Sequence, residues 1–173
     1  NGGGILSLAG CDFKNNSAAS EGGALRLDGK TSFGGAVSSF SRNSAAKGGA
    51  ICAAGANSAR TAVISNAQFS GNTATEGGAL YLAGYVTLGA QGSRLELDGG
   101  TVGGSTAMYV AQNANLSRIS GSLSLRGGVV LHAPLAFAAD FSAGDSSVNA
   151  AFTPNYSGAL ARFASDVTSM SLR

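Results

Sequence analysis

A twin glycine in front of a short strand-like segment occurs four times in the first half of the chain. The clearest copy, "EGGALRLDG" at Glu21–Gly29, alternates apolar and polar side chains after its glycines, as a half-buried β-strand does. The other copies are "GGILSLAG" at Gly3–Gly10, "GGAICAAG" at Gly48–Gly55 and "GGALYLAG" at Gly77–Gly84. Four copies indicate a repeated structural unit rather than one isolated ligand loop.

A second motif precedes three of these copies. It reads "FKNNSAASEGG" from Phe13, "FSRNSAAKGG" from Phe40 and "FSGNTATEGG" from Phe69, so the phenylalanines are 27 and then 29 residues apart. This period is typical of solenoids and is too short for a propeller blade of about 40–45 residues. Each unit holds short strands and no helical periodicity, which predicts an all-β parallel β-helix of about six or seven coils.

Stacked coils would place equivalent residues directly over one another, about 4.8 Å apart. We therefore predict an inward stack of phenylalanines, a ladder of asparagines at a turn, and columns of corner glycines. Glu21, Lys47 and Glu76 also align, just before the glycines. The structural repeat residues are Phe13, Asn16, Gly22, Gly23, Phe40, Asn43, Gly48, Gly49, Phe69, Asn72, Gly77 and Gly78.

Alternation along each strand predicts which side chains point outward. In the second copy Leu25 and Leu27 should face the core, and in the first copy Leu6 and Leu8 should do the same. The outward Arg26 and Tyr81 are the candidate contact residues. Two segments, 29–35 and 54–62, are expected to be inserted loops that add to this outer surface.

The repeat pattern divides the chain into three parts. Residues 1–84 carry the full motifs, residues 85–152 are expected to continue as degenerate coils, and residues 153–173 form an irregular tail or a continuation. Within the second part, "LELDGG" at 95–100 resembles "LRLDG" in the first part. The chain starts inside a repeat, so we expect it to be a piece of a longer protein and to pack against the rest of that protein.

Charge and composition argue against a nucleic-acid partner and against a membrane-spanning helix. Only 12% of the residues are charged and the formal net charge is +2, with no basic cluster, which argues against nucleic acid. No apolar run approaches the roughly 18 residues of a membrane helix, so no transmembrane segment is predicted. Glycine (27 residues) and short strands dominate instead.

No catalytic, metal-binding or cofactor-binding residue is predicted. Asp28 and Asp98 each end an "L-x-L-D-G" segment, but they fall in different coils and are expected to be solvated turn acids. Asp140 and Asp145 lie in a Gly/Ala/Ser loop, and His132 has no neighbouring ligand cluster. P-loop, calcium nonapeptide and EF-hand patterns are absent from the sequence.

Two further residue types carry chemistry. Cys11 and Cys52 fall on different strands and faces in the predicted coils, so both should be free, with Cys52 outward and available for an intermolecular bond. Asn-x-Ser sequons at Asn15, Asn115 and Asn155 are possible glycosylation sites if the chain is secreted by a eukaryote.

The coupling of "FxxN" to "GGA[LIV]" resembles the repeats of polymorphic outer membrane proteins. Three full copies lie at 13–25, 40–51 and 69–80, and "GGIL" at Gly3 resembles the end of a fourth. In chlamydiae such repeats form the passenger domains of autotransporter adhesins, and they also occur in large extracellular proteins of other bacteria and of algae. The resemblance implies a right-handed parallel β-helix at the cell surface.

Three hypotheses for function follow. The first is a non-enzymatic extracellular segment that acts as an adhesin or a rigid display stalk and contacts a protein or glycan on another cell. The second is a structural repeat of an extracellular filament or coat, whose partner is the same filament. The third is a polysaccharide-binding or polysaccharide-cleaving β-helix of the pectate lyase type, which the scarcity of paired carboxylates disfavours.

Overall fold

The chain is a parallel β-solenoid. The computed structural model describes residues 4–88, 94–98, 107–119, 122–126, 129–131 and 162–163. Residues 4–88 make about three coils, so the predicted six or seven coils are more than the structure shows. Within the described segments every strand pairing is parallel and no α-helix occurs.

A five-stranded sheet carries the phenylalanines of the repeat. Phe13, Phe40 and Phe69 pair with one another in register across three neighbouring strands. The order is β15–β12–β9–β5–β2. Its strands are β2 (Asp12–Lys14), β5 (Ser38–Ser41), β9 (Ala67–Ser70), β12 (Arg94–Asp98) and β15 (Ser122–Arg126).

An eight-stranded sheet carries the strands that follow the twin glycines. Its main path runs β17–β16–β13–β11–β7–β3, and β8 and β14 pair with the second half of β11. The strands are β3 (Leu25–Leu27), β7 (Ile51–Gly55), β8 (Ala62–Ile64), β11 (Leu80–Leu88), β13 (Met108–Val110), β14 (Asn115–Ile119), β16 (Val129–Leu131) and β17 (Arg162–Phe163).

Two small sheets and one short helix complete the coils. The sheets are β1 (Leu6–Leu8) with β4 (Thr31–Phe33), and β6 (Ser44–Lys47) with β10 (Thr73–Glu76). A single turn of 3-10 helix, η1 (Ser58–Arg60), begins after Asn57, whose side chain accepts a hydrogen bond from the Ala59 N–H. This exposed turn agrees with the loop expected over residues 54–62.

The interior is built from stacked identical side chains. The Phe13 and Phe40 rings lie 4.8 Å apart and the Phe40 and Phe69 rings 4.9 Å apart, both nearly parallel. Around them pack small and branched apolar residues such as Ala50, Ile64 and Leu80, all fully buried. The predicted aromatic stack is therefore present.

The asparagine ladder fixes the turn after each phenylalanine strand. Asn43 Oδ1 accepts hydrogen bonds from the backbone N–H and the side-chain amide of Asn16, each at 2.9 Å. Asn72 Oδ1 accepts the same two bonds from Asn43, and the Asn43 and Asn72 amides also donate to the carbonyl oxygens of Phe13 and Phe40. Asn43 and Asn72 are fully buried, so these bonds offset the cost of burying two amides.

The twin glycines form the predicted corner. Gly22, Gly48 and Gly77 have φ values of +62°, +60° and +66°, which favour glycine. A Cβ on Gly49, the second glycine of its pair, would lie 2.4 Å from the carbonyl oxygens of Gly78 and Thr73. The first glycine of each pair therefore supplies the turn, and the second allows neighbouring coils to approach.

Two predictions about strand position are wrong, and one sequence likeness has no structural counterpart. Leu6 is 43% exposed, because β1 pairs with Thr31–Phe33 and not with the strands that follow the glycines. Residues 29–35 are not a simple loop, since they contain β4 with Thr31 and Phe33 buried. The segment 94–98 pairs with the phenylalanine strand β9, so its likeness to "LRLDG" does not reflect an equivalent position.

Candidate functional site

The outer face of the eight-stranded sheet carries one continuous column of side chains. Arg26 pairs in register with Cys52, Cys52 with Tyr81, and Tyr81 with Tyr109. The residues on either side of each tyrosine point inward and are buried, as strand alternation requires: Leu80, Leu82, Met108 and Val110. The column therefore presents three kinds of side chain, an arginine, a cysteine and two tyrosines, on a repeated scaffold.

Arg26 is engaged within the chain. Its Nε donates to both carboxylate oxygens of Asp28 at 3.0 Å, and its guanidinium also forms an ion pair with Glu21. The hydrogen bond with Asp28 is the main cause that raises the pKa of Arg26. Because both acids are already bound to Arg26, this end of the column is a closed network at the surface.

Cys52 lies beneath the surface of the column. It is 1% exposed although it belongs to the outer face, and burial raises the pKa of its thiol. Cys11 and Cys52 are both free, as predicted. The expectation that Cys52 is available for an intermolecular bond is wrong, because its neighbours in the column cover it.

The part of the column that holds the two tyrosines opens into a cleft. The Tyr81 and Tyr109 rings stack with centroids 5.3 Å apart and planes 11° apart. Lys47 Nζ lies over the Tyr81 ring, 5.1 Å from its centroid, and 3.7 Å from the Glu76 carboxylate. The cleft has a volume of about 570 Å³, and the residues that line it are Lys47, Glu76, Tyr81, Tyr109, Ala111, Gln112 and Asn113.

Lys47 and Glu76 reach the cleft because of the coil register. They pair across β6 and β10, one coil apart, and Glu21 pairs with Lys47 in the coil before, as the alignment predicted. The pKa of Lys47 is raised, first by Tyr81 and then by Glu76. Lys47 is therefore a cation at neutral pH, and Glu76 is its partner of opposite charge.

A turn forms the far wall of the cleft. The Ala114 N–H donates to the Ala111 carbonyl at 2.9 Å, and Gly84 N–H donates to the Asn113 carbonyl at 3.2 Å. Gln112 and Asn113 lie exposed at this turn. In the preceding coil the chain continues here as the single strand β11, whereas the two coils before that also break here, after β3 and after β7.

The structure separates the two candidate contact residues. Tyr81 lines the cleft, whereas Arg26 lies at the far end of the same column. The sequence analysis did not single out Tyr109, Gln112 or Asn113. The twin glycine at Gly103–Gly104 could have pointed to Tyr109. The spacing from Gly103 to Tyr109 is two residues longer than the spacing from Gly77 to Tyr81.

Only some of the other residues singled out by the sequence analysis lie among the described residues. Asn15 and Asn115 are exposed, and their glycosylation stays a prediction. The third sequon, at Asn155, lies outside the described residues, as do His132, Asp140 and Asp145. Asp28 follows β3 of the eight-stranded sheet, whereas Asp98 ends β12 of the five-stranded sheet.

In the described segments, no group of three or more His, Cys, Asp and Glu side chains could hold a metal ion. None of the helical structure in them is long and apolar enough to cross a membrane.

Comparison with known proteins connects this geometry to one family of repeats. The model of the Chlamydia polymorphic membrane protein repeat matches residues 10–27, 37–54 and 66–83. Each match runs from the phenylalanine strand through the asparagine and the twin glycines into the next strand. The fourth copy expected at Gly3 is not among these matches, in agreement with the different pairing of β1.

The other two comparisons gave no match, neither among curated proteins nor among solved structures. The similarity to known proteins therefore lies in the repeat segments. Three successive segments in the first half of this chain are similar to the Chlamydia polymorphic membrane protein repeat.

Proposed function

We propose that this chain is a non-enzymatic segment of an extracellular, cell-surface protein, and that it acts as an adhesin or as a rigid display stalk. Its partners would be a protein or a glycan on another cell and the rest of its own longer chain. The repeats and the solenoid fold fit a repeat segment of a surface protein. The assignment of adhesion or display goes beyond this and is our proposal.

The observation that carries the proposal is the contrast between the interior and the exterior. The same side chains recur inside, with Phe over Phe, Asn over Asn and Gly over Gly in adjacent coils. On the outer face, an arginine, a cysteine and two tyrosines occupy equivalent positions. A scaffold that repeats these inward positions while its outward residues vary suits a molecule whose outer surface is selected for contact.

The repeated contacts also suit a stalk. Each coil holds its neighbour through parallel backbone pairing, ring stacking and amide bonds, so that the stack resists bending at any one coil. Every added coil lengthens the stack by roughly one strand spacing, about 4.8 Å. Such a rod would hold its outer surface away from the cell that anchors it.

A binding and scattering experiment tests the proposal. Fluorescently labelled chain is titrated onto a panel of cultured cells, and its maximum dimension in solution is measured by small-angle X-ray scattering. We expect saturable attachment for an adhesin, or an elongated monomer without attachment for a stalk. A compact, non-attaching particle would contradict both roles, and concentration-dependent fibres would favour the filament or coat hypothesis.

The absence of catalysis is tested separately. The chain is incubated with pectin and other acidic polysaccharides, with and without added Ca²⁺, and new reducing ends are measured. We expect no release above buffer, because Asp28, the outward acid next to the column, is already bound to Arg26. Release that disappears in an Asp28→Asn variant would establish an enzyme instead.

A further inference from the structure

The tyrosine cleft is open to solvent and is lined by several kinds of polar group. Among the described residues, its lining offers two phenols, one ammonium, one carboxylate and two primary amides, together with the apolar Ala111. Phenols and primary amides both donate and accept hydrogen bonds, an ammonium only donates, and a carboxylate only accepts. A ligand that fits here must itself offer many donors and acceptors at close spacing.

The stacking of the tyrosines decides how they would meet a ligand. Tyr109 packs on Tyr81 at 5.3 Å, and Lys47 lies over the Tyr81 ring. These contacts occupy the face of the Tyr81 ring, so Tyr81 offers its edge and its hydroxyl. The pair is also rigid, because parallel strands hold both residues in register, and little side-chain entropy is lost when a ligand binds.

Charge in the cleft favours a neutral ligand. Lys47 and Glu76 lie 3.7 Å apart and cancel at neutral pH. A sulfated glycan or a nucleic acid would be held mainly by unpaired cations, and the one cation among the described lining residues, Lys47, is paired with Glu76. A protein ligand would need an apolar pocket for an anchoring side chain, and the single alanine among the described lining residues does not provide it.

The turn at Gln112 and Asn113 lies between β13 and β14, beside the straight strand β11 of the coil before. It adds two exposed amide side chains beside the tyrosines.

We propose that this cleft is a binding site for a neutral oligosaccharide. The inference rests on the proposed surface function and names the class of ligand for one place on that surface. Sugar hydroxyls would exchange hydrogen bonds with the amides of Gln112 and Asn113, with the tyrosine hydroxyls, and with the Lys47–Glu76 pair. The open shape of the cleft suits part of a longer glycan chain rather than an enclosed monosaccharide.

The test uses the full chain on an array of short neutral oligosaccharides, followed by titration calorimetry of each sugar that binds. The variants are Tyr109→Phe, which keeps the ring stack, and the double variant Gln112→Ala/Asn113→Ala. The control is Lys30→Ala, an exposed lysine that does not line the cleft. Thermal unfolding of every variant establishes that the fold is kept.

We expect the double variant to bind about tenfold more weakly and Tyr109→Phe several-fold more weakly, since each removes hydrogen-bonding groups. The Lys30→Ala control should bind like the unmodified chain, and binding should change little with added salt because the ligand is uncharged. The cleft assignment is overturned if no neutral oligosaccharide binds, if both cleft variants keep full affinity, or if only a protein ligand is captured.

The same variants separate this inference from the proposed surface function. Cell attachment that persists in the double variant, with no sugar binding by any chain, overturns the cleft and leaves the adhesin role in place. Failure of all chains both to attach to cells and to form an elongated particle contradicts the proposed function itself.

Discussion

One position of the repeat has a variable residue type but always adopts a left-handed backbone conformation in the described coils. The residue just before the ladder asparagine is Asn15, Arg42 or Gly71 in successive coils, and its φ is +57°, +55° and +60°. Asparagine and glycine adopt this left-handed conformation readily, whereas other L-residues do so at a cost of roughly 1–2 kcal/mol. Arg42 is therefore the strained member of the column.

Replacing Arg42 with glycine should stabilise the protein. The left-handed strain is relieved, and the greater unfolded-state freedom of glycine offsets part of the gain, which leaves about 0.5–1 kcal/mol. Chemical denaturation of Arg42→Gly measures the change. The matched control is Ser41→Gly in the neighbouring strand position, which should lower stability; a loss of stability in Arg42→Gly itself would contradict the strain argument.

The buried thiol of Cys52 gives a prediction for pH. Because burial raises its pKa, the neutral thiol is favoured in the folded state, and Cys52 should need a higher pH than an exposed cysteine to react. The contribution of this raised pKa to folding stability is fully present below the pKa of the Cys52 thiol in the unfolded chain. It is lost as the pH rises through the pKa of that thiol in the folded protein.

Thiol labelling followed by peptide mass analysis measures this difference. At pH 8 we expect Cys11, which is only partly buried, to react markedly faster than Cys52, which is 1% exposed. In denaturant the two cysteines should react at similar rates, because the difference belongs to the fold. Equal rates in the native protein would show that Cys52 is accessible after all.

At the scale of the strand and its turn, the second glycine of a pair is constrained by the neighbouring coil. Cβ atoms on Gly23 and Gly49 would lie 2.1 Å and 2.4 Å from carbonyl oxygens of the next coil, whereas one on Gly4 would have no atom within 4 Å. The physical test of a true repeat is thus close stacking and not the letters "GG". This explains why "GGIL" at Gly3 resembled a fourth copy but belongs to a different strand position.

Gly49→Ala should be severely destabilising. The added methyl group would overlap the carbonyl oxygens of Gly78 and Thr73, which are backbone atoms held by the parallel pairing and cannot move away cheaply. We expect a loss of at least several kcal/mol or failure to fold, measured by denaturation and soluble yield. Gly34→Ala is the control, because its Cβ would meet no atom within 4 Å, and it should be nearly neutral.

Sequence reasoning reached most of the fold and only part of the site, for a physical reason. The stack, the ladder and the glycine columns repeat because each coil must match the next, so the sequence carries them several times. The cleft depends on a turn at Gln112 and Asn113 whose residues do not recur in the other described coils. Tyr81 could be assigned to the outer face by alternation, but its meeting with Tyr109 and Lys47 depends on coil register.

At the scale of the whole molecule, stability is a chain of nearest-neighbour couplings. In a solenoid each coil contacts only its neighbours, so a residue in the middle of a stack supports two interfaces. Phe40 is fully buried and stacks on both Phe13 and Phe69, whereas Phe13 is partly exposed. Replacement by alanine should therefore affect more strands at Phe40 than at Phe13.

Phe40→Ala should lower protection against hydrogen exchange in β2, β5 and β9 together, because it leaves a cavity against both neighbouring rings. Burial of a full phenylalanine predicts a loss of about 3–5 kcal/mol, and Phe13→Ala should cost less and affect mainly β2 and β5. Peptide-level hydrogen exchange under native conditions distinguishes the two patterns. If Phe40→Ala affected β5 alone, the coils would be independent, and the stack could not serve as the rigid element that display of the outer surface requires.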